Sequence, residues 1–253
     1  MFTLVVYIAI FVAPLFFFLF ARSKLLLMFF QQDEYDNPRF LRYVFKNGKL
    51  VDKKFTCILL AGAIVASLPY KINLFFLYLL FAFAAFMFFT PIVFTFKQTK
   101  LIKNAKKTLV VTARVKRILI VNLLLCFYFF WLIAAIYYKL FQFWDIPFVS
   151  VFGNLIGVLH LTLPYIITVQ LVPFTLVLSN IILSPYEKHT QRGFIVEAKA
   201  KLAQIDPTII GITGSYGKTS TKHILAHITS SSVPIFFPPG GVNTPMGITR
   251  VIR

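Results

Sequence analysis

The groups best able to do chemistry in this chain stand together between Thr213 and Ser220. Gly214-Ser215-Tyr216-Gly217 is a glycine-bounded turn, and Lys218 and Thr219 follow it directly. Main-chain N–H groups from Ser215 to Lys218 can converge on phosphate oxygens, and a helix start at Lys218 adds partial positive charge. Lys218 brings a full charge to β- and γ-phosphates, and the Thr219 hydroxyl is placed to ligate Mg²⁺. The chemistry is phosphoryl transfer from ATP with Mg²⁺. Lys218 and Thr219 are its catalytic pair and Thr219 its metal ligand. Thr213, Gly214, Ser215, Tyr216, Gly217 and Ser220 complete the nucleotide cradle.

Such a loop needs a strand leading in and a helix leading out. The β-branched run from Thr208 to Thr213 reads as a buried strand, and the helix runs from Lys218 to about Ser230. Val233 to Phe237 reads as a second strand, Pro238 to Gly241 as a loop, and Met246 to Arg253 as a further helix. The strict pattern G-x-x-x-x-G-K-[ST] would place its first glycine at 212, where Ile212 stands, and Gly214 takes that role instead. A chance glycine turn is the plain alternative. The agreement of strand, loop, Lys-Thr and helix weighs against it.

The spacing T-G-x-x-G-K-T-[ST] resembles the Mur ligase family of ATP-dependent amide-bond ligases. Thr213 to Lys222 is most similar to the MurF type, which adds D-Ala-D-Ala to the UDP-muramoyl tripeptide. Gly241-Val242-Asn243-Thr244-Pro245-Met246-Gly247 is similar to that family's N-x-x-x-G substrate segment, which implies Asn243 and Thr244 as substrate contacts. The resemblance implies transfer of the ATP γ-phosphate to a carboxylate of a UDP-muramoyl peptide. The amine of D-Ala-D-Ala then attacks the acyl phosphate, giving an amide, ADP and phosphate. The resemblance covers about residues 205–253. The family's soluble UDP-binding domain, later acidic Mg²⁺ ligand, modified lysine and amine-binding domain have no counterpart. The expectation is therefore the N-terminal part of a longer ligase, which does not complete the reaction alone. Two alternatives stay open. A poly-γ-glutamate synthase-like membrane ligase usually carries Arg-Gly-Lys-Ser where this chain has Tyr216-Gly217-Lys218-Thr219. A non-catalytic membrane scaffold would bind nucleotide only.

Other reactive groups read more plainly. His223 and His227 share a helix face at i, i+4, without an apparent third metal ligand. Asp33, Glu34 and Asp36 read as a solvated turn before Pro38. Cys57 and Cys126 lie in separate apolar runs and read as buried free thiols.

The apolar chain before residue 184 must hold this chemistry at a membrane. Of 253 residues 58% are hydrophobic and 31 are Phe, with mean hydropathy +0.81. No soluble domain of ordinary composition looks like this. Five spans are expected, Phe2–Phe20, Phe55–Pro69, Ile72–Phe96, Ile118–Tyr138 and Leu161–Leu183, with the N-terminus outside. Residues 55–96 should form a hairpin with Tyr70 and Lys71 at its outer tip and a kink at Pro91. Pro164 and Pro173 should bend the last span. Residues 139–160 read as an outer, interfacial or re-entrant piece.

The net charge is +18. Loops 21–54 and 97–117, with everything after 184, hold 24 of the 26 Lys and Arg residues, leaving Lys71 and Lys139 opposite. That asymmetry puts those loops and the ATP site on the cytoplasmic side of a bacterial inner membrane. It points to anionic lipid as a partner rather than nucleic acid, since no base-stacking motif accompanies it. Residues 97–117 read as a basic amphipathic helix on that lipid surface, with a pyrophosphate-bearing lipid or UDP head group as the more pointed reading. His160 and Gln170 read as polar groups inside the bundle, pairing with a neighbouring helix. The expected organisation is a polytopic helical membrane domain (1–184), an amphipathic linker (185–206) and the start of an α/β P-loop domain (207–253).

Overall fold

A computed structural model describes residues 12–48, 52–66, 74–105, 107–143, 151–242 and 244–253. Among them the chain is helical, with eight α-helices and no strand: α1 Ala13–Gln32, α2 Asn37–Lys46, α3 Lys53–Ala66, α4 Leu74–Lys103, α5 Ala113–Phe143, α6 Val151–Ile205, α7 Lys218–Thr229 and α8 Pro245–Ile252. The chain divides into two compact units, Met1–Leu183 and Ser184–Arg253.

In the first unit α1 is the central helix. Leu, Phe and Met occupy every side of it, and Leu15, Phe18, Leu19, Leu26, Leu27 and Phe30 are buried. A helix apolar all round must be surrounded, and α1 packs against α2, α4 and α5. Phe18 meets Phe55 of α3 and Phe94 of α4 with ring centroids 4.5 and 5.9 Å apart. Phe16 meets Phe127 of α5 at 5.7 Å, and Phe130 of α5 meets Tyr165 of α6 at 5.9 Å. Helix α3 lies against α4 where Gly62 faces the Phe86 ring, and a Cβ on residue 62 would overlap that ring.

Among the described residues, four stretches are long and apolar enough to cross a membrane: Ala13–Gln32, Ala82–Lys103, Ala113–Leu140 and Thr162–Ile205. The expected span 55–69 is not among them, because α3 has 14 residues over its described length. Residues 67–69 of that expected span lie outside the described residues. The first span also differs. It was expected to stop before Arg22 and Lys24, yet α1 runs on to Gln32. Arg22 is buried and paired, while Lys24 turns its ammonium over the Phe20 ring at 5.3 Å. Neither charge therefore needs the helix to end. Residues 2–11 of that span, and the 70–71 tip, lie outside the described residues.

The expected basic surface helix at 97–117 is three pieces instead. Residues up to Lys103 finish α4, residues from Ala113 begin α5, and the chain between is irregular. Gln31 of α1 explains the break. Its amide donates to the Val110 carbonyl and accepts from the Val110 N–H, both at 2.9 Å, matching a peptide group on both sides. The backbone there is satisfied without helical bonds. Thr112 then accepts from the Val115 N–H at 3.3 Å at the start of α5.

Helix α6 continues through Pro164, Pro173 and Pro185, and it includes Gly153, Asn154 and Gly157 of the stretch expected to be an outer piece. Pro173 has no N–H to give the carbonyl four residues earlier. That carbonyl, Val169 O, receives the Arg22 Nε–H at 3.0 Å instead.

The second unit holds the end of α6 with α7 and α8. The two expected strands do not form: residues 208–213 and 233–237 are irregular. A strand is defined by its ladder partner, and neither segment meets one among the described residues. Ile209, Ile210 and Phe236 are 75%, 61% and 73% exposed accordingly. Arg253 ties this unit at its other end. Its Nε lies 2.7 Å from Glu197 Oε2, its guanidinium covers Phe194 at 4.1 Å, and its carbonyl accepts from Lys201 Nζ at 2.7 Å.

Candidate functional site

Two glycines set the loop before α7. Gly214 has φ +152° and Gly217 φ +75°, conformations that residues with a Cβ rarely adopt. Gly217 is also the N-cap of α7, with its carbonyl accepting from Thr221 N–H at 2.8 Å. It has no side chain to cap the helix, so the first-turn amides stay open. Among the described residues, the amides of Ser215 through Ser220 find no protein acceptor. Lys218 is the first residue of α7, and its ammonium folds back to donate to the Gly214 carbonyl. One cation and a run of open N–H groups thus share one exposed loop, which is the donor set a polyphosphate needs.

The residues singled out from sequence fall here in the following way. Thr213, Gly214, Ser215, Gly217, Lys218, Thr219 and Ser220 are exposed, and Tyr216 is 95% exposed, so its ring closes nothing over the loop. Thr244 is the N-cap of α8, with Oγ1 accepting from Gly247 N–H at 3.2 Å. That leaves the hydroxyl proton of Thr244 to offer. Gly247 has to be small, since a Cβ there would overlap Val242 and the Thr244 hydroxyl. Asn243 lies outside the described residues.

Lys222 carries a role that spacing did not reveal. From the second turn of α7 it donates to the carbonyls of Pro238 and Gly240, each at 2.5 Å, with Phe237 under its charge at 5.8 Å. His223 packs edge-on against Phe237 at 5.3 Å. These contacts fasten the segment leading to Thr244 onto the helix that opens with Lys218 and Thr219. His223 is accordingly a packing residue. Its i, i+4 spacing with His227 was the only signal in the sequence, and it pointed elsewhere.

A second polar cluster sits inside the first unit. Arg22 NH1 is 3.5 Å from Asp52 Oδ2, with both side chains nearly buried. Asp52 Oδ2 also accepts from Gln98 Nε2 at 3.1 Å, and Asp52 Oδ1 accepts from Phe55 N–H at 3.2 Å at the start of α3. Gln170 accepts from the Asp52 N–H at 2.9 Å and donates to Thr56 Oγ1 at 2.8 Å, so it pairs between helices as expected. Beside it, Asn122 donates to Ser23 Oγ and accepts from Thr175 Oγ1, both at 2.7 Å. Buried Cys126 lies 3.5 Å from that same Thr175 hydroxyl, while Cys57 is exposed, contrary to expectation, because its side of α3 faces out of the bundle. Asp33 to Tyr35 form a turn with Glu34 and Tyr35 at positive φ, and Asp36 caps α2 by accepting from Arg39 N–H at 2.8 Å. These groups pair across the bundle, with Gln98 Oε1 buried and without a hydrogen-bond partner; the exposed loop before α7 offers groups to a ligand. No family model, no curated protein and no solved structure matches this chain.

Proposed function

We propose that the chain is the nucleotide-binding, membrane-embedded part of an ATP-dependent carboxylate–amine ligase. The observation that carries the reading is the Gly214–Gly217 loop. Two positive-φ glycines turn it into α7, amides from Ser215 to Ser220 stand open, and the Lys218 ammonium lies over the loop. ATP with Mg²⁺ supplies the phosphoryl group that activates the carboxylate. The chain's own residues bind and orient. Loop amides take phosphate oxygens, Lys218 exchanges the Gly214 carbonyl for phosphate charge, and Thr219 is the hydroxyl available to the cation. Thr244, with Asn243 beside it, is read as holding the carboxylate partner, a UDP-muramoyl peptide with D-Ala-D-Ala as the amine. The positive-inside asymmetry supports reading the loop as lying on the cytoplasmic face of a bacterial inner membrane.

The test is binding of a fluorescent ATP analogue with Mg²⁺ to the full chain in detergent. Lys218→Ala should weaken it at least tenfold, about the ~1.5–3 kcal/mol of a hydrogen bond to a charged group. Equal binding by wild type and Lys218→Ala would sink the nucleotide reading. Nucleotide binding that is lost in Lys218→Ala, with no ligation of a UDP-muramoyl tripeptide to D-Ala-D-Ala by a protein that also carries the family's amine-binding domain, would favour the scaffold instead.

A further inference from the structure

A groove of about 410 Å³ lies between the last turns of α1 and the end of α4, lined by Leu25, Met28, Phe29, Leu101, Ala105 and, at its polar side, Gln32 and Lys107. Its volume is within the roughly 300–1,000 Å³ of small-molecule sites. Its walls are apolar, and Leu101 is 47% exposed within it. The polar side is held in place. Gln32 Nε2 donates to the Lys107 carbonyl at 3.2 Å, and Gln31 clasps Val110 three residues on. The backbone carrying the Lys107 ammonium is therefore fixed at the groove by two consecutive glutamines of α1.

Cations outnumber acids around it, with Asp33 and Glu34 just beyond Gln32 on the α1 side. Lys100 and Lys103 close the last turn of α4, and residues 97–117 hold eight cations and no acid. The nearest acid in sequence on the α1 side, Asp33, is engaged by Arg39 at 3.3 Å. Both helices that form the groove are long and apolar enough to cross a membrane. An apolar slot beside an exposed lysine on a tethered backbone matches a molecule with a hydrocarbon tail and an anionic head.

We infer that this groove seats one anionic glycerophospholipid, with an acyl chain against Leu25, Met28 and Leu101 and its phosphate at Lys107. The site is independent of the nucleotide reading. It is tested on the full chain, purified in mild detergent and stripped of lipid, by native mass spectrometry during titration with dioleoyl-phosphatidylglycerol or dioleoyl-phosphatidylcholine. The first phosphatidylglycerol should bind more tightly than phosphatidylcholine, and Lys107→Gln should weaken it about fivefold. Phosphatidylcholine binding should be unchanged by Lys107→Gln. Leu101→Trp, at a half-exposed position that tolerates a large ring, should fill the slot and weaken both lipids. Lys116→Gln removes an exposed cation of α5 and should change neither. Any of four results overturns the proposal: equal affinity for the two lipids, a loss in Lys107→Gln below twofold or matched by Lys116→Gln, indifference to Leu101→Trp, or displacement of the lipid by soluble glycerol phosphate.

Discussion

Arg22 is a guanidinium on the central helix of an apolar bundle, and three partners explain its presence. Pro173 leaves the Val169 carbonyl without a helical donor, Arg22 Nε fills that place, and Asp52 balances the charge. Removing one member of such a buried pair strands the other, at a cost of about 3–5 kcal/mol. Arg22→Met should therefore lower the thermal midpoint of the detergent-solubilised chain sharply. Adding Asp52→Asn, which keeps an oxygen for the Phe55 N–H, should recover at least half of that loss. A double variant no better than the single would show that the Val169 carbonyl, not the charge, dominates. Gly217 makes the matching case in the second unit. At φ +75°, Gly217→Ala should cost roughly 1–2 kcal/mol in the loop conformation. Nucleotide analogue binding should fall while the helical circular dichroism of the chain stays within a few per cent of wild type. At this scale the sequence was legible where residue type alone decides: glycines before Lys-Thr mark a positive-φ turn. It was illegible for Arg22 and Asp52, thirty residues apart, because a charge inside an apolar run reads as an end until its partner is known. Lys222 was missed for the same reason.

Elements follow the same division. The spans of α5 and α7 were readable to within a few residues, since a long apolar run, or a Lys-Thr after glycine, fixes where a helix starts. The break between α4 and α5 was not, because it depends on Gln31, some 79 positions away from Val110. Gln31→Ala would remove both of its hydrogen bonds to Val110, leaving the carbonyl to the Thr112 N–H and the amide to water, and should cost about 0.5–1.5 kcal/mol. Trypsin cleavage at Lys107 should rise well before the bundle itself unfolds, as followed by fragment mass; cleavage unchanged from wild type would mean that Gln32 alone holds the loop. Residues 208–213 and 233–237 carry β-branched and aromatic composition suited to strands. Composition states what an element prefers, and a ladder still needs a neighbour. The α/β domain read from the sequence thus rests on the proposal, whereas the helices rest on the fold.

For the whole molecule, the charge asymmetry gives a sharper test than any single contact. In a Cys57→Ser background, with buried Cys126 left in place, single cysteines at Arg42, Lys107 and Ser232 should all react with a membrane-impermeant maleimide from the same side of sealed vesicles. That side should be the inner one, and labelling of Ser232→Cys from the outside would reverse the proposed location of the nucleotide loop. One further consequence follows from the glycine of α3 that faces the Phe86 ring. A Cβ at residue 62 would overlap that ring, so α3 comes up against α4 with no side chain between its backbone and Phe86. That close seat couples the two helices, so a change that separates them at residue 62 acts on both. Gly62→Leu should wedge the two helices apart, lowering the thermal midpoint in detergent while the longer apolar helices keep the chain resistant to alkaline carbonate.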